Sequence, residues 1–307
     1  MIKKFIYKIK NKLFLRSSEA SKLKKPLLKE MVKYDSFAKS KNNKFALSFG
    51  AGRSGQNWYS KIFNSHTNWI GTCERFADYE AFYRFTSYYG LPINNQNFYE
   101  LIRLSSNMDM AKYQNSFISS PYFGFGVKEL SEKLKPDYIF FNIRNPIQSI
   151  ESFYQKGWYS YLYHFKAEVP TLDISDNLYR SFSRIIPKTE FLEQWLKFTR
   201  VGKLTWFWAT INKAIFDDFN RIKNIEKIFV KLEDVSQNYE SYERLAYKFK
   251  FEKKLSKINF YNVLNKASNT EFKHEYDYKN WSKIEKKEFE NIIEEIFPNY
   301  NVIKTNI

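Results

Sequence analysis

Phe45-Ala46-Leu47-Ser48-Phe49-Gly50-Ala51-Gly52-Arg53-Ser54-Gly55-Gln56-Asn57-Trp58 is an apolar, strand-like run that stops at a glycine-rich turn and opens into a helical pattern. Backbone N–H groups left without partners at such a turn, together with the positive end of the following helix, form a cradle for an anion. Gly50 and Gly55 keep the five-residue spacing of a nucleotide-hydrolysing loop, but Gln56 and Asn57 stand where its Lys and its Ser or Thr should follow. Such a loop would therefore lack both its phosphate clamp and its magnesium-binding hydroxyl. Arg53, inside the loop, supplies a guanidinium fork that suits phosphate or sulfate oxygens. The stretch predicts a strand, an anion-binding loop and a helix, without magnesium-dependent hydrolysis.

The same layout recurs further along the chain. Asp137–Ile143 is almost continuously apolar and meets Arg144-Asn145-Pro146, where Asn145 suits an N-cap and Pro146 a first helical turn. Lys227–Leu232 ends in Glu233-Asp234 before a helical run through Tyr242, Leu245 and Phe249. Strands of this kind alternating with helices predict an α/β chain: a three-layer, P-loop-like fold with a central parallel sheet flanked by helices. Phe191, Leu192, Trp195 and Leu196, then Leu204, Phe207, Trp208, Ile211 and Ile215, read as helical core stripes. Ser282 and Glu285 form a capping-box pattern ahead of Phe289, Ile292, Ile293 and Ile296. Without repeats or a Gly/Ser-rich linker, residues 44–307 read as one domain behind a basic N-terminal arm over 1–43.

That arm accounts for most of the charge. The net charge is +17, and residues 1–44 carry 14 Lys or Arg against Glu19, Glu30 and Asp35. The remaining body is mildly basic, which suits small anionic ligands and argues against a nucleic-acid partner. Ile2, Phe5, Ile6, Ile9 and Leu13 recur at helical spacing among lysines, so residues 1–16 could make a peripheral contact with an anionic membrane. A helix packed on the body and a solvated arm are the alternatives. The aromatic share of 20% accompanies high Lys, Asn and Ile usage, as an A/T-rich genome would favour, so it marks no binding platform. Cys73 is the only cysteine, which excludes an intrachain disulfide and a cysteine zinc cluster. With no apolar run of membrane-spanning length and no secretory signal pattern, the expected location is cytoplasmic.

Arg144 stands at a predicted strand's C-terminal end, and Ser152 follows eight residues on, within the next helix. In open α/β sheets ligands collect at that carboxyl edge. Two anion sites on neighbouring strand ends suit a molecule with two separated phosphates.

On these residues the chain resembles the sulfotransferases that use 3′-phosphoadenosine 5′-phosphosulfate (PAPS), and looks closer to a bacterial member of the carbohydrate or tyrosylprotein type than to the cytosolic type. Gly52-Arg53-Ser54-Gly55 with Trp58 resembles the family's 5′-phosphosulfate loop, and Arg144 with Ser152 its 3′-phosphate motif. Val230-Lys231-Leu232-Glu233-Asp234 resembles a strand that usually ends in Tyr-Glu-Asp, and the placing of Trp281 and the terminal helix fits loosely. The resemblance implies that Arg53 binds the 5′-phosphosulfate and neutralises charge on the bridging oxygen. It implies that the N–H groups of Ser54, Gly55, Gln56 and Asn57 cradle the same group, that Trp58 packs on adenine, and that Arg144 and Ser152 hold the 3′-phosphate.

Asn64-Ser65-His66-Thr67-Asn68 followed by Cys73-Glu74-Arg75 is similar to a segment of carbohydrate and tyrosylprotein members, which implies Glu74 as the catalytic base. An ion pair of Glu74 with Arg75 or another basic residue is the alternative. His66 reads as structural, and His164 as a residue of the acceptor pocket or of a surface aromatic segment. The chain departs from the family at Gln56 and Asn57, where threonines are usual, and at Leu232 in place of Tyr. It lacks the Arg-Lys-Gly element of cytosolic members, for which Lys273, His274 or Lys279 could substitute. The expected activity is sulfuryl transfer from PAPS to an acceptor hydroxyl on a carbohydrate or glycolipid, with no metal. A P-loop kinase or nucleotide hydrolase, and a non-catalytic protein that binds PAPS or its product, are the rivals.

Overall fold

The computed structural model describes residues 26–160, 184–267, 276–303 and 305–306. Residues 1–16, His164, Lys273 and His274, on which sequence expectations fall, lie outside the described residues.

Five strands form one parallel sheet: β1 (Lys44–Phe49), β2 (Trp69–Cys73), β3 (Asn115–Ser120), β4 (Tyr138–Ile143) and β5 (Glu226–Lys231), in the order β2-β3-β1-β4-β5. The expected α/β architecture with a central parallel sheet flanked by helices is the one observed. β1 lies in the middle, paired with β3 on one side and β4 on the other, with Phe49 opposite Ser120 and Phe141. Successive side chains of a strand leave on opposite faces, and β1 feeds two cores accordingly. Leu47 and Phe49 join Ile118, Ile139 and Phe141 on one face, while Ala46 joins Phe117, Phe140, Ile228 and Val230 on the other.

The second face is covered by α1 (Gln56–Asn64), α9 (Tyr239–Lys248) and α10 (Lys257–Ala267). Its centre is Phe63, stacked on Phe117 at 3.9 Å and edge-on to Trp69 and Phe249. The first face carries α2 (Ala77–Tyr89), α3 (Gln96–Tyr113), α4 (Val127–Leu134), α5 (Pro146–Gln155), α6 (Thr189–Lys197), α7 (Arg200–Arg221) and α11 (Lys283–Ile296). In α7 the predicted stripe Leu204, Phe207, Trp208, Ile211 and Ile215 is buried throughout. In α6 Trp195 is buried and Phe191 and Leu192 pack half-buried against the same core, while Leu196 is exposed. Ser282 and Glu285 make both bonds of the capping box at α11.

Part of the stretch assigned to the arm is packed on the body. Met31 is fully buried, Leu27, Leu28 and Val32 pack against the same core, and Asn107 Nδ2 of α3 donates to Tyr34 O at 3.2 Å. Arg103 pairs with Asp35 and Lys112 with Glu30, so basic residues of α3 hold acidic residues of this segment. Among the described residues no helix is long and apolar enough to cross a membrane.

Candidate active site

Because β1 and β4 are neighbours, the loop after β1 and the Arg144 turn after β4 emerge side by side at the carboxyl edge of the sheet. The loop is fixed by its own residues. Arg53 and Gly55 have φ of 64° and 93°, and left-handed residues of this kind turn successive N–H groups toward one centre. Gly55 is the N-cap of α1, and a Cβ there would lie 2.6 Å from Leu232 Cδ1, so the position suits glycine on both strain and space. Leu232 thus packs on the loop. It opens a short helix, α8 (Leu232–Ser236), because β5 ends one residue earlier, at Lys231. At Gly52 a Cβ would meet the Trp158 ring at 2.7 Å, so that indole covers the loop.

Gln56 is buried, and its Nε2 donates to Gly50 O at 3.0 Å and Ala51 O at 2.9 Å. Its amide braces the loop and offers no donor toward a ligand in this arrangement. Asn57 is exposed in the first turn of α1. Trp58 is 5% exposed, edge-on to Tyr59 at 4.8 Å and to Phe260 at 6.0 Å. It belongs to the core under α10, which leaves little of the ring for the adenine contact that the resemblance implies.

The two predicted anion-binding segments meet. Arg53 Nε donates to Ser152 Oγ at 2.8 Å, and Arg144 Nη1 donates to Arg53 O at 3.3 Å. Asn145 caps α5, its Oδ1 accepting from Gln148 N, while Glu233 Oε1 accepts the Asn145 N–H at 2.9 Å. Glu233 therefore fixes the turn that carries Arg144. Burial lowers the pKa of both arginines; Glu74 partly offsets this for Arg53 and Glu233 for Arg144, while Arg53 adds repulsion at Arg144. Two arginines joined side by side at a loop of inward-facing N–H groups match a ligand carrying several negative charges. Ser149 Oγ, one turn before Ser152 in α5, is buried without a hydrogen-bond partner among the described residues. The donor set fits a bisphosphorylated or phosphosulfated nucleotide such as PAPS.

Glu74 stands just past β2 with φ 52°, its N–H donating to Ser119 O at 3.1 Å. A left-handed glutamate is strained and persists where surrounding structure holds it, often at sites of function. Its side chain keeps access to solvent although protein atoms surround much of it. Enclosure raises its pKa, and the guanidinium groups of Arg184, Arg84 and Arg53 act against that rise. Arg75 turns away to pair with Asp109 at 3.0 Å, so it is not the partner of Glu74. Arg84 is buried, its guanidinium 4.6 Å from the Tyr122 ring centre, and burial brings its pKa down to about 10. Arg184 lies 3.4 Å over the Trp158 ring, so the indole links it to Gly52.

His66 is structural. Its Nδ1 lies 2.8 Å from Lys253 O, its Nε2 lies 3.3 Å from Tyr242 Oη, and the ring stacks on Phe251 at 3.8 Å. Lys279 is exposed in a short 3-10 turn. Cys73, beside Glu74, is mostly enclosed, and burial pushes its thiol pKa up, which leaves it unreactive.

One residue of the site escaped the sequence reading. Asn142 is fully buried in β4, and its Nδ2 donates to Ser54 O at 2.8 Å and Ser54 Oγ at 2.9 Å. The signal was present: a lone amide in an otherwise apolar strand, two residues before Arg144.

Two solved structures are similar to the chain at low values. One is the sulfotransferase domain from the curacin biosynthetic pathway, with TM-score 0.40 and 13% identity over 75% of this chain and 79% of that one. The other is the sulfotransferase domain from the Synechococcus PCC 7002 olefin synthase, with TM-score 0.41 and 12% identity over 88% and 87%. No family model and no curated protein matches the chain. At this distance the likeness bears on neither substrate nor chemistry. Among the described residues no group of three or more His, Cys, Asp or Glu is placed to hold a metal ion.

Proposed function

We propose that the protein transfers a sulfuryl group from PAPS to an acceptor hydroxyl. The observation that carries this reading is the junction of Arg53, Arg144 and Ser152 over a loop whose N–H groups face inward. The reading assigns Arg53 and the N–H groups of Ser54 and Gly55 to the 5′-phosphosulfate, and Arg144 and Ser152 to the 3′-phosphate.

In the proposed reaction Glu74 accepts the proton of the acceptor hydroxyl as its oxygen bonds to sulfur. The bond between sulfur and the bridging oxygen breaks, Arg53 neutralises the charge left on that oxygen, and adenosine 3′,5′-bisphosphate departs. Positioning and charge neutralisation supply most of the rate in such a transfer. Glu74 is suited to the role by its raised pKa and its place opposite Arg53. We assign the acceptor to carbohydrates or glycolipids on the resemblance of residues 64–68 and 73–75 to members that act on such acceptors. A contact of residues 1–16 with an anionic membrane would bring a lipid-borne acceptor within reach.

A kinase or hydrolase reading is disfavoured by Gln56, whose amide is committed to the carbonyls of Gly50 and Ala51 where such an enzyme needs a free cation. The test is transfer of labelled sulfate from PAPS, without added metal, to a panel of sugar, lipid and tyrosine acceptors. Transfer that disappears in Arg144→Ala supports the proposal. Binding of the nucleotide with no transfer to any acceptor would turn the reading to a non-catalytic binding protein.

A further inference from the structure

We propose that Asn142 is a positioning residue that aims the backbone N–H groups of Ser54 and Gly55 into the anion cradle. Asn142 is fully buried in β4. Ser48 Oγ of β1 donates to its Oδ1 at 3.0 Å, which fixes the amide with Nδ2 toward the loop. Nδ2 then holds Ser54 O and Oγ, while Ser54 Oγ donates on to Ala51 O at 2.6 Å. Two residues further along the chain, Arg144 donates to Arg53 O.

Two consecutive loop carbonyls, of Arg53 and Ser54, are thus held by side chains of β4 and the turn that follows it. A trans peptide plane points its C=O and the next residue's N–H in opposite directions. Holding those carbonyls against β4 therefore turns the N–H groups of Ser54 and Gly55 away from β4 and into the cradle. Neither N–H donates to another group among the described residues. A buried amide in an apolar strand is costly unless its bonds are made, and here they are made to the loop. The amide is thus used to hold two donors in place before the ligand arrives, which is where a fixed dipole is most effective.

The inference rests on the sulfotransferase reading for its nucleotide, but the cradle itself can be tested with inorganic pyrophosphate. The full chain, labelled with 15N at serine and glycine, is titrated with pyrophosphate, with adenosine 3′,5′-bisphosphate and with adenosine 3′-monophosphate. Pyrophosphate should shift the Ser54 and Gly55 amide resonances. In Asn142→Ala those shifts should vanish and affinity for pyrophosphate and the bisphosphate should fall by roughly tenfold or more. Affinity for the 3′-monophosphate should stay within about twofold, because Arg144 and Ser152 are untouched. If Asn142→Ala does not fold, Ser48→Ala removes only the donor to Oδ1 and should give the same selective loss at smaller amplitude. Unchanged pyrophosphate affinity in the variant, or an equal loss for all three ligands, overturns the proposal. A pyrophosphate response that depends on Asn142 in a protein that ignores both nucleotides would uphold the positioning role and remove the sulfotransferase reading.

Discussion

Arg53 Nε donates to Ser152 Oγ at 2.8 Å, joining the loop after β1 to the second turn of the helix after β4. The bond ties together two segments that lie 99 residues apart in sequence. It also uses one donor of the Arg53 fork and leaves its terminal nitrogens for a ligand. Arg53→Lys should therefore be damaging although charge is kept, because one ammonium replaces a planar fork that serves hydroxyl and anion together. We expect affinity for adenosine 3′,5′-bisphosphate to fall by about tenfold in both Arg53→Lys and Ser152→Ala, read by calorimetry. Wild-type affinity in Arg53→Lys would show that the fork geometry is unused.

Glu74 should set the acidic limb of the transfer rate. As the base it must be ionised, so the rate should rise with pH through a value above the ordinary glutamate range. Arg184 lowers that value, so Arg184→Gln should move the limb to higher pH. Glu74→Gln should reduce transfer by a factor of about 10² or more while bisphosphate affinity changes little. Full activity in Glu74→Gln would remove Glu74 from the base role.

His66 predicts a pH-dependent stability. Its pKa is lowered to about 4 by burial, against the Lys253 carbonyl that favours the charged form. Between that value and about 6.5, the unfolded chain binds a proton that the folded chain refuses, so stability falls as pH drops through the window. The loss should be on the order of 1–3 kcal/mol in denaturant titrations from pH 7 to 4. His66→Asn should be less stable at pH 7 and show a shallower slope. An unchanged slope would assign the acid sensitivity elsewhere.

Gly55 predicts a separable pair of costs. Gly55→Ala meets both a left-handed φ of 93° and the Leu232 side chain. The strain alone is worth about 1–2 kcal/mol. Trimming Leu232→Ala in the same protein should relieve the clash and leave the strain, so the double variant should recover only part of the loss in a double-mutant cycle. Full additivity would mean that the two side chains do not meet.

The fold was legible where burial on both faces left an apolar run. β1, β4 and β5 were each read to within a residue of their observed ends. β2 and β3 were missed, and the residues say why. β3 is Asn-Ser-Phe-Ile-Ser-Ser, buried throughout, with Ser116 bonded to Asp109 and Ser120 to Glu80, while Ser119 Oγ is buried without a partner among the described residues. Both partners lie outside the strand, in other elements, so they leave no pattern within it. The paired motifs around Arg53 and Arg144 were visible as spacing, whereas their joining through Ser152 required the β1-β4 pairing. Gln56 stood out in the sequence as a departure from the usual threonine, and only the folded loop shows its amide bonded back to Gly50 and Ala51. The Glu74 surroundings were hidden for the same reason: Arg84 and Arg184 come from α2 and from the segment before α6.

The most direct test is a calorimetric titration of the metal-free protein with adenosine 3′,5′-bisphosphate, beside Mg-ATP. The account predicts micromolar binding of the bisphosphate without metal, lost by about tenfold or more in Arg144→Ala and in Ser152→Ala. Preference for Mg-ATP, or bisphosphate binding that both variants retain, would contradict it.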